Sequence, residues 1–396
     1  MKIRDLYKDV SLVCMNLGIL FIVINLLSLA GLKALDYYNR NANAAIRDDL
    51  WAKRAKVYPG LNDEQISRLY KETWELRQYV YSPFSQFAEK PFSGEYVNVT
   101  EAKIRKSKIE APWPPPKEAT TIFVFGGSTT FGYGLPDWET VPSFLGDALA
   151  HKHGDKIFVY NFGKAYFYST HEMLEFQRLL WEGHRPDIAI FIDGLNEFYF
   201  HEDKLAWTER LTALTEHSTP STWDSIQALA RRLPIFRMID FLIHPLNMKE
   251  KSRTKQAEDN YSRIATGGGL ETSNRIIDRY LRNKSLIETL GRHFGTVTLF
   301  VWQPVPTYKY DTKYHLFVHS LPEGHIRSGL SYDVAQTRYG KGDFGESFAW
   351  CADIQDGLKK PLYVDAVHYN AELSQLLANC IFKKTNLEDT MRANKF

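Results

Sequence analysis

Cysteine is scarce, with three in 396 residues, and that excludes a scaffold held together by dense disulfides. Cys351 and Cys380 would pair only if their region faced an oxidising compartment, so two buried free thiols are the expectation. A dominant charge sign is also missing. The 49 basic and 47 acidic residues leave a net charge of +2, so no broad basic field exists to hold phosphates, and no nucleic-acid partner is expected. No Lys-Ser or Lys-Thr pair follows the glycines near residue 130, which removes a Walker-type phosphate loop. Asp137 interrupts any dinucleotide fingerprint built on Gly132 and Gly134. His315 and His319 stand four apart in "YHLFVHS" without a His-Glu-x-x-His pattern, so no metal or organic cofactor is expected.

Apolar sequence is plentiful in one place. Residues 10–32 read "VSLVCMNLGILFIVINLLSLAGL", a run without charge, long enough to cross a hydrocarbon layer about 30 Å thick. It exceeds the ~7–15 apolar residues of a cleaved signal and no small-x-small site closes it, so a retained anchor follows. Asn16, Asn25 and Ser28 are tolerable in a spanning helix and suit contacts to another helix. Cys14 lies inside the run rather than just after it, which fits a core-facing thiol better than a lipid attachment. Lys2, Arg4 and Lys8 nearly balance Lys33, Arg40 and Arg47 across the run. The expected orientation places a short cytoplasmic tail (1–9) before the membrane helix (10–33), with the body outside the cytoplasm, as in a periplasmic domain.

After the anchor, residues 34–118 read as a juxtamembrane and accessory segment. "NDEQISRLYKETWELRQYV" has apolar residues at helical spacing (Ile66, Tyr70, Trp74, Leu76) behind the capping residues Asn62 and Asp63. Residues 81–110 mix proline, glycine, aromatic and β-branched residues as extended segments do, and "APWPPPKEA" closes the boundary. From 119 to 385 apolar strands alternate with helices: "TIFVF", "KIFVYN", "DIAIFID", "TVTLFVW" and "PLYV", with helical stretches such as "VPSFLGDALAHKH" and "THEMLEFQRLLWEG" between them. That pattern predicts an α/β fold, a three-layer doubly wound and mostly parallel sheet. A helical insertion (201–272) interrupts it; ordinary accessory packing and a solvated basic loop are the expectation there, the alternative being a lid or a second membrane contact with the basic run near lipid head groups. Residues 386–396 form a tail.

Ligands of such sheets bind outside the carboxyl ends of the strands, so the residues just past each strand carry the chemistry. In "FGGSTTFGYG", two side-chain-free positions precede Ser128 at a strand end, where a tight turn and a close substrate approach are both possible. A serine hydroxyl needs a base. "VDAVHYN" offers His368 with Asp365 three residues earlier, a spacing that can bring a carboxylate to Nδ1 while Nε2 faces the hydroxyl. Asn196 in "DGLNEFY" can donate its amide to an oxyanion. Taken singly these are common turn and capping residues. Thr130 stands where a Gly-x-Ser-x-Gly elbow needs its second glycine, so a standard α/β-hydrolase is disfavoured.

The order of the four blocks "GGS", "NFG", "GLNE" and "DAVH", each after an expected strand, resembles the Ser-Gly-Asn-His hydrolase superfamily, the GDSL-like esterases and lipases, over roughly residues 119–385. The resemblance implies a flavodoxin-like sheet, with Ser128 as nucleophile, His368 as general base and acid, and Asp365 as its orienter. The oxyanion donors it implies are Ser128 N–H, the Asn196 side chain and a backbone amide of the second block. Counting from Asn161, that last position falls near Ala165 or Tyr166, while Gly163 lies earlier and would serve only in a shifted turn. Glu197 stands where the family usually has aspartate. A membrane-anchored serine esterase or acyl hydrolase is the expected function, acting on an ester-bearing small molecule, lipid or glycan. Its rivals are an O-acyltransferase or deacetylase acting on an envelope glycan, and a non-catalytic accessory subunit of a membrane-protein complex.

Overall fold

Strands that are buried on both faces must satisfy two different neighbours, and in this chain alternate residues do so with different chemistry. The computed structural model describes residues 3–42, 44–153, 156–200, 205, 208, 233–243, 269–318, 321 and 323–384. In chain order the elements begin with α1 (Ile3–Ala42), α2 (Ala44–Val57), α3 (Asp63–Tyr70), β1 (Tyr79–Ser82), β2 (Gln86–Glu89), β3 (Phe92–Ser93) and β4 (Asn98–Val99). There follow β5 (Thr120–Gly126), α4 (Ser128–Phe131), α5 (Val141–His153), β6 (Ile157–Asn161), α6 (Ser169–Trp181), β7 (Ile188–Asp193), α7 (Leu195–Tyr199) and α8 (Pro234–Ile243). The last are α9 (Gly269–Phe294), β8 (Val297–Trp302), α10 (Glu323–Gly340), β9 (Phe348–Trp350) and α11 (Ala371–Lys384). Two units emerge among the described residues: those up to 52 with 233–243, and 53–208 with 269–384.

The larger unit is built on a five-stranded sheet in the order β6-β5-β7-β8-β9, parallel throughout. Numbered from β5, this is the 2-1-3-4-5 order of flavodoxin-like sheets, whose direction of winding reverses between the first and third strands, here β5 and β7. One face is aromatic. Phe125, Phe191 and Phe300 stack across β5, β7 and β8, with centroids 4.8 and 5.3 Å apart, beneath Phe176 of α6, Tyr280 of α9 and Tyr332 of α10. The opposite face is aliphatic: Val124, Ile190, Ile192 and Val301 meet Leu145 and Leu149 of α5 and Leu373 and Leu377 of α11. The predicted three-layer, doubly wound α/β fold is therefore present.

The expected fifth strand differs. "PLYV" contributes only an isolated bridge between Tyr363 and Tyr369, and the sheet is completed instead by Phe348–Trp350, paired to β8. Three residues are too few to give a readable alternation, whereas the bridge at Tyr363 closes the loop that carries residues 365–368.

From residue 53 on, the accessory segment belongs to the same unit. Asn62 and Gln65 cap α3 reciprocally, Asn62 Oδ1 accepting the Gln65 N–H at 3.0 Å and Gln65 Oε1 accepting the Asn62 N–H at 2.9 Å, the arrangement of a capping box. The helical pattern continues past Tyr70 as a π-helical turn, Lys71–Leu76. Residues 81–110 hold the expected extended pieces, β2, β3 and β4. Bridges from Arg105 to Val99 and Asn161 cover the edge of β6, which would otherwise present unpaired backbone groups. The buried Arg105 guanidinium meets Asp137 at 2.6 Å.

In the smaller unit, α1 contains a stretch, Tyr7–Leu35, long and apolar enough to cross a membrane. Its apolar side chains are exposed, Cys14 among them; the core-facing thiol expected there is not found, because no element of the fold covers that face of the helix among the described residues. Asn25 does contact a second helix: its Oδ1 accepts the Ile235 N–H at the start of α8, at 3.3 Å. Most of the insertion at 201–272 lies outside the described residues, as does the tail after residue 384.

Cys351 and Cys380 form a disulfide, not the two free thiols expected. The deciding fact is absent from the linear sequence: the end of β9 and α11 lie side by side. A bridge over 29 residues stabilises by roughly 3–4 kcal/mol in the chain-entropy picture. The double variant Cys351→Ala/Cys380→Ala is expected to lose about that much in denaturant unfolding, and unchanged unfolding with free thiols in the wild type would contradict the bridge.

Candidate active site

The turn after β5 shows why glycines precede Ser128. A Cβ on Gly127 would stand 2.5 Å from Asn196 Nδ2 and 3.0 Å from the Phe167 carbonyl oxygen, and one on Gly126 would strike the Thr130 side chain. Two neighbouring loops thus close directly over the glycines, and any side chain would push them off the serine. Ser128 opens the single turn α4, and the Asn161 amide holds that turn from the second loop, donating to the Thr130 carbonyl at 3.1 Å. The small residues and the nucleophile candidate are one design.

His368 and Asp365 reach this turn from the other end of the chain. His368 Nε2 lies 2.8 Å from Ser128 Oγ, and its Nδ1 lies 2.7 Å from Asp365 Oδ2. Asp365 Oδ1 accepts the backbone N–H groups of Val367 and His368, both at 2.9 Å. Burial pushes the Asp365 carboxyl up, but the imidazole and these donors outweigh it and hold it down at about 2. An ionised acceptor at Nδ1 fixes the proton there and leaves Nε2 to receive the serine proton.

Three N–H groups near Ser128 are candidates for oxyanion donors. Asn196 is buried, and its Nδ2 gives one proton to the Phe167 carbonyl at 2.7 Å, leaving the second beside Gly127. The Ser128 and Tyr166 amides make no hydrogen bond among the described residues. Tyr166 adopts φ +62°, the left-handed conformation that glycine takes without steric penalty and other residues take at about 1–2 kcal/mol. Gly163 is excluded from this set: its N–H donates to Asn161 Oδ1 at 2.9 Å, and its bare Cα packs on the Thr130–Phe131 backbone. The Ala165 N–H is likewise engaged, with Glu89 Oε1 at 3.4 Å. Of the three candidate positions in the second block, Tyr166 alone keeps a free amide among the described residues.

Several supporting residues were invisible in the motif pattern. Gln303, at the exit of β8, accepts the hydroxyls of Thr129 at 2.6 Å and Tyr369 at 2.7 Å through the same Oε1. It ties the residue after the serine to the residue after the histidine. Tyr133 stacks on the His368 ring, centroids 5.2 Å apart. His315, one half of the histidine pair at metal-ligand spacing, instead holds the Ala366 carbonyl at 3.1 Å and stacks on Tyr363; His319 lies outside the described residues. Glu197 accepts the Ser169 N–H at 2.6 Å and pairs with Arg279 at 3.2 Å, anchoring the asparagine's helix to α6 and α9. The Ser128–His368 pair was signalled by its motifs; Gln303 had only its position at a strand exit to mark it, and nothing in the sequence gave Tyr133, His315 or Glu197 these supporting contacts.

No family model and no curated protein matches the chain. Among solved structures, a member of the lipolytic G-D-S-L family from Veillonella parvula is 9% identical, covering 67% of this chain and 97% of its own, with a TM-score of 0.34. The acetylxylan esterase Axe2 from Geobacillus stearothermophilus is 12% identical (68% and 96% covered, TM-score 0.34). The psychrotrophic esterase EstA from Pseudoalteromonas sp. is also 12% identical (69% and 99% covered, TM-score 0.30). The site is defined by its own relay and amide donors, not by these likenesses.

Behind Asn196 lies a buried acidic group. Glu172 of α6 and Asp193 at the end of β7 are buried beside Glu197, within hydrogen-bonding reach of each other when one of them carries a proton, and no other donor reaches either oxygen of Glu172 or Asp193 Oδ1 among the described residues. Burial first, then the neighbouring carboxylates, raises both Glu172 and Asp193 well above the usual carboxylate range. Between the ordinary carboxylate value and the raised one, the folded chain holds protons that the unfolded chain has released. Stability from these groups is therefore present at acid pH and lost as pH rises. Glu172→Gln, which needs no proton to be neutral, is expected to gain melting temperature relative to wild type between pH 5 and pH 8; a difference independent of pH would show that the two carboxyls are not protonated.

Proposed function

We propose that this chain is a membrane-anchored serine ester hydrolase of the Ser-Gly-Asn-His type. The observation that carries the reading is the relay Asp365–His368–Ser128, with its two hydrogen-bonding distances of 2.7 and 2.8 Å. Ser128 Oγ attacks the ester carbonyl while its proton passes to His368 Nε2. The tetrahedral oxyanion is met by the Ser128 and Tyr166 amides and the second Asn196 proton, donors already aimed at the place where charge develops. His368 then protonates the departing alkoxide, which leaves the acyl group on Ser128. A water molecule, deprotonated by the same nitrogen, releases the acid and restores the serine. Asp365, ionised throughout, steadies the imidazolium without taking its proton.

Two features support a location. The exposed apolar stretch of α1 suits a bilayer core, and the disulfide between Cys351 and Cys380 suits an oxidising compartment rather than the cytoplasm. Together they support a short N-terminal tail inside and a catalytic body outside, facing esters of lipids, glycans or small molecules.

A fluorophosphonate probe tests the chemistry: wild type is expected to be labelled and Ser128→Ala unlabelled, while equal labelling or none would favour a non-catalytic subunit. Asn196→Ala is expected to lower kcat on a short ester by roughly 100-fold, the effect of removing one oxyanion donor. For the anchor, the full chain should float with liposomes, and residues 53–396 should stay in solution and keep their esterase activity.

A further inference from the structure

We infer that the N-terminal accessory hairpin is part of the catalytic apparatus, its Glu89 positioning both the imidazole and the oxyanion turn; the inference rests on the ester-hydrolase reading of the site. Glu89 closes β2 and is 2% exposed. One carboxylate oxygen, Oε2, lies 2.7 Å from the Arg77 guanidinium. The other, Oε1, receives the Tyr133 hydroxyl and the Ala165 N–H in two longer contacts of 3.4 Å.

Each of those partners leads to the reacting atoms. Tyr133 lies nearly parallel to the His368 ring, at 19°, so a shift of the phenol tilts the imidazole. Its hydroxyl is also 2.7 Å from that of Tyr79 in the partner strand β1. Ala165 immediately precedes Tyr166, so fixing the Ala165 amide fixes the strained peptide that presents the Tyr166 N–H. Arg77 completes the support, its guanidinium carbon 4.4 Å from the Tyr133 ring centre and 4.5 Å from that of Phe131, while Nε and Nη2 hold the Thr73 carbonyl. A carboxylate suits this node because a single oxygen can accept two donors while the other neutralises a buried cation. Glu89 touches neither substrate nor serine; it is a positioning residue.

The test separates positioning from folding. In the full-length protein, active sites are counted by exhaustive fluorophosphonate labelling, and turnover of p-nitrophenyl acetate is expressed per labelled site. Glu89→Gln, which keeps the shape but removes the charge pair, is expected to lower kcat roughly 10- to 100-fold, the scale of a sub-ångström to 1 Å misplacement of reacting groups, with KM changed by less than about twofold. Tyr133→Phe, which keeps the stacked ring and loses the hydroxyl, should show a smaller loss in the same direction, and it decides the matter if Glu89→Gln does not fold. Wild-type kcat per labelled site in both variants, even with lowered melting temperatures, overturns the inference while leaving the hydrolase reading intact. Failure of the wild type itself to label or turn over overturns the hydrolase reading and the inference together.

Discussion

The contact between Ser128 and His368 joins residues 240 positions apart, and it exists because parallel strands place all their carboxyl ends on one rim. Ser128 follows the first strand of the sheet, Asn196 the third, and Asp365 and His368 come after the last. The strand order reverses between β5 and β7, so the loops after those two strands diverge to opposite faces and leave a crevice between them. Gly126 and Gly127 sit in that crevice. Their missing side chains let the Asn196 amide and the Phe167 carbonyl close to within contact of the serine turn, which is what brings three separate strand exits to a single point.

Local hydrogen bonds convert that proximity into fixed geometry. Gln303 Oε1 takes hydroxyls from both the serine turn and the histidine loop, and His315 holds the Ala366 carbonyl between Asp365 and His368. The disulfide encloses the stretch that carries both, narrowing the conformations available to that loop before folding. Few of these residues can react with anything. In the proposed reaction their effect would be to remove the reorganisation that a site in water requires, the condition under which preset dipoles lower a barrier.

Four strands, the flanking helices and the candidate site residues were legible because each leaves a local trace. Apolar runs of five to seven residues mark strands buried on both faces, and Ser128, Asn196 and His368 stand just beyond three such runs or inside a compact motif. What was missed has no local trace. β9 is three residues long, and its pairing is a property of β8. The pairing of Cys351 with Cys380 depends on α11 lying beside that strand. Gln303 and Glu89 are ordinary polar residues until the loops they join are adjacent, so only a three-dimensional neighbourhood reveals their function.

Three residues break local rules, and all lie on the Asn196 side of the site. Tyr166 holds a backbone conformation suited to glycine, and Glu172 and Asp193 are buried together without enough donors. Consistent sequences avoid such conflicts except where the surroundings over-determine the result. Here the surroundings do so from both sides. Glu89 and the Lys164 amide, bonded to the Gly126 carbonyl at 3.0 Å, pin the turn ahead of Tyr166, while Glu197 and Arg279 brace the helix of Asn196 beside Glu172 and Asp193. The raised proton affinity of the two carboxyls behind the asparagine bears on the proposed chemistry: ionised carboxylates there would oppose the negative charge that the proposed oxyanion donors would receive. The cost in backbone strain and desolvation thus falls beside the amides that the proposed mechanism would use.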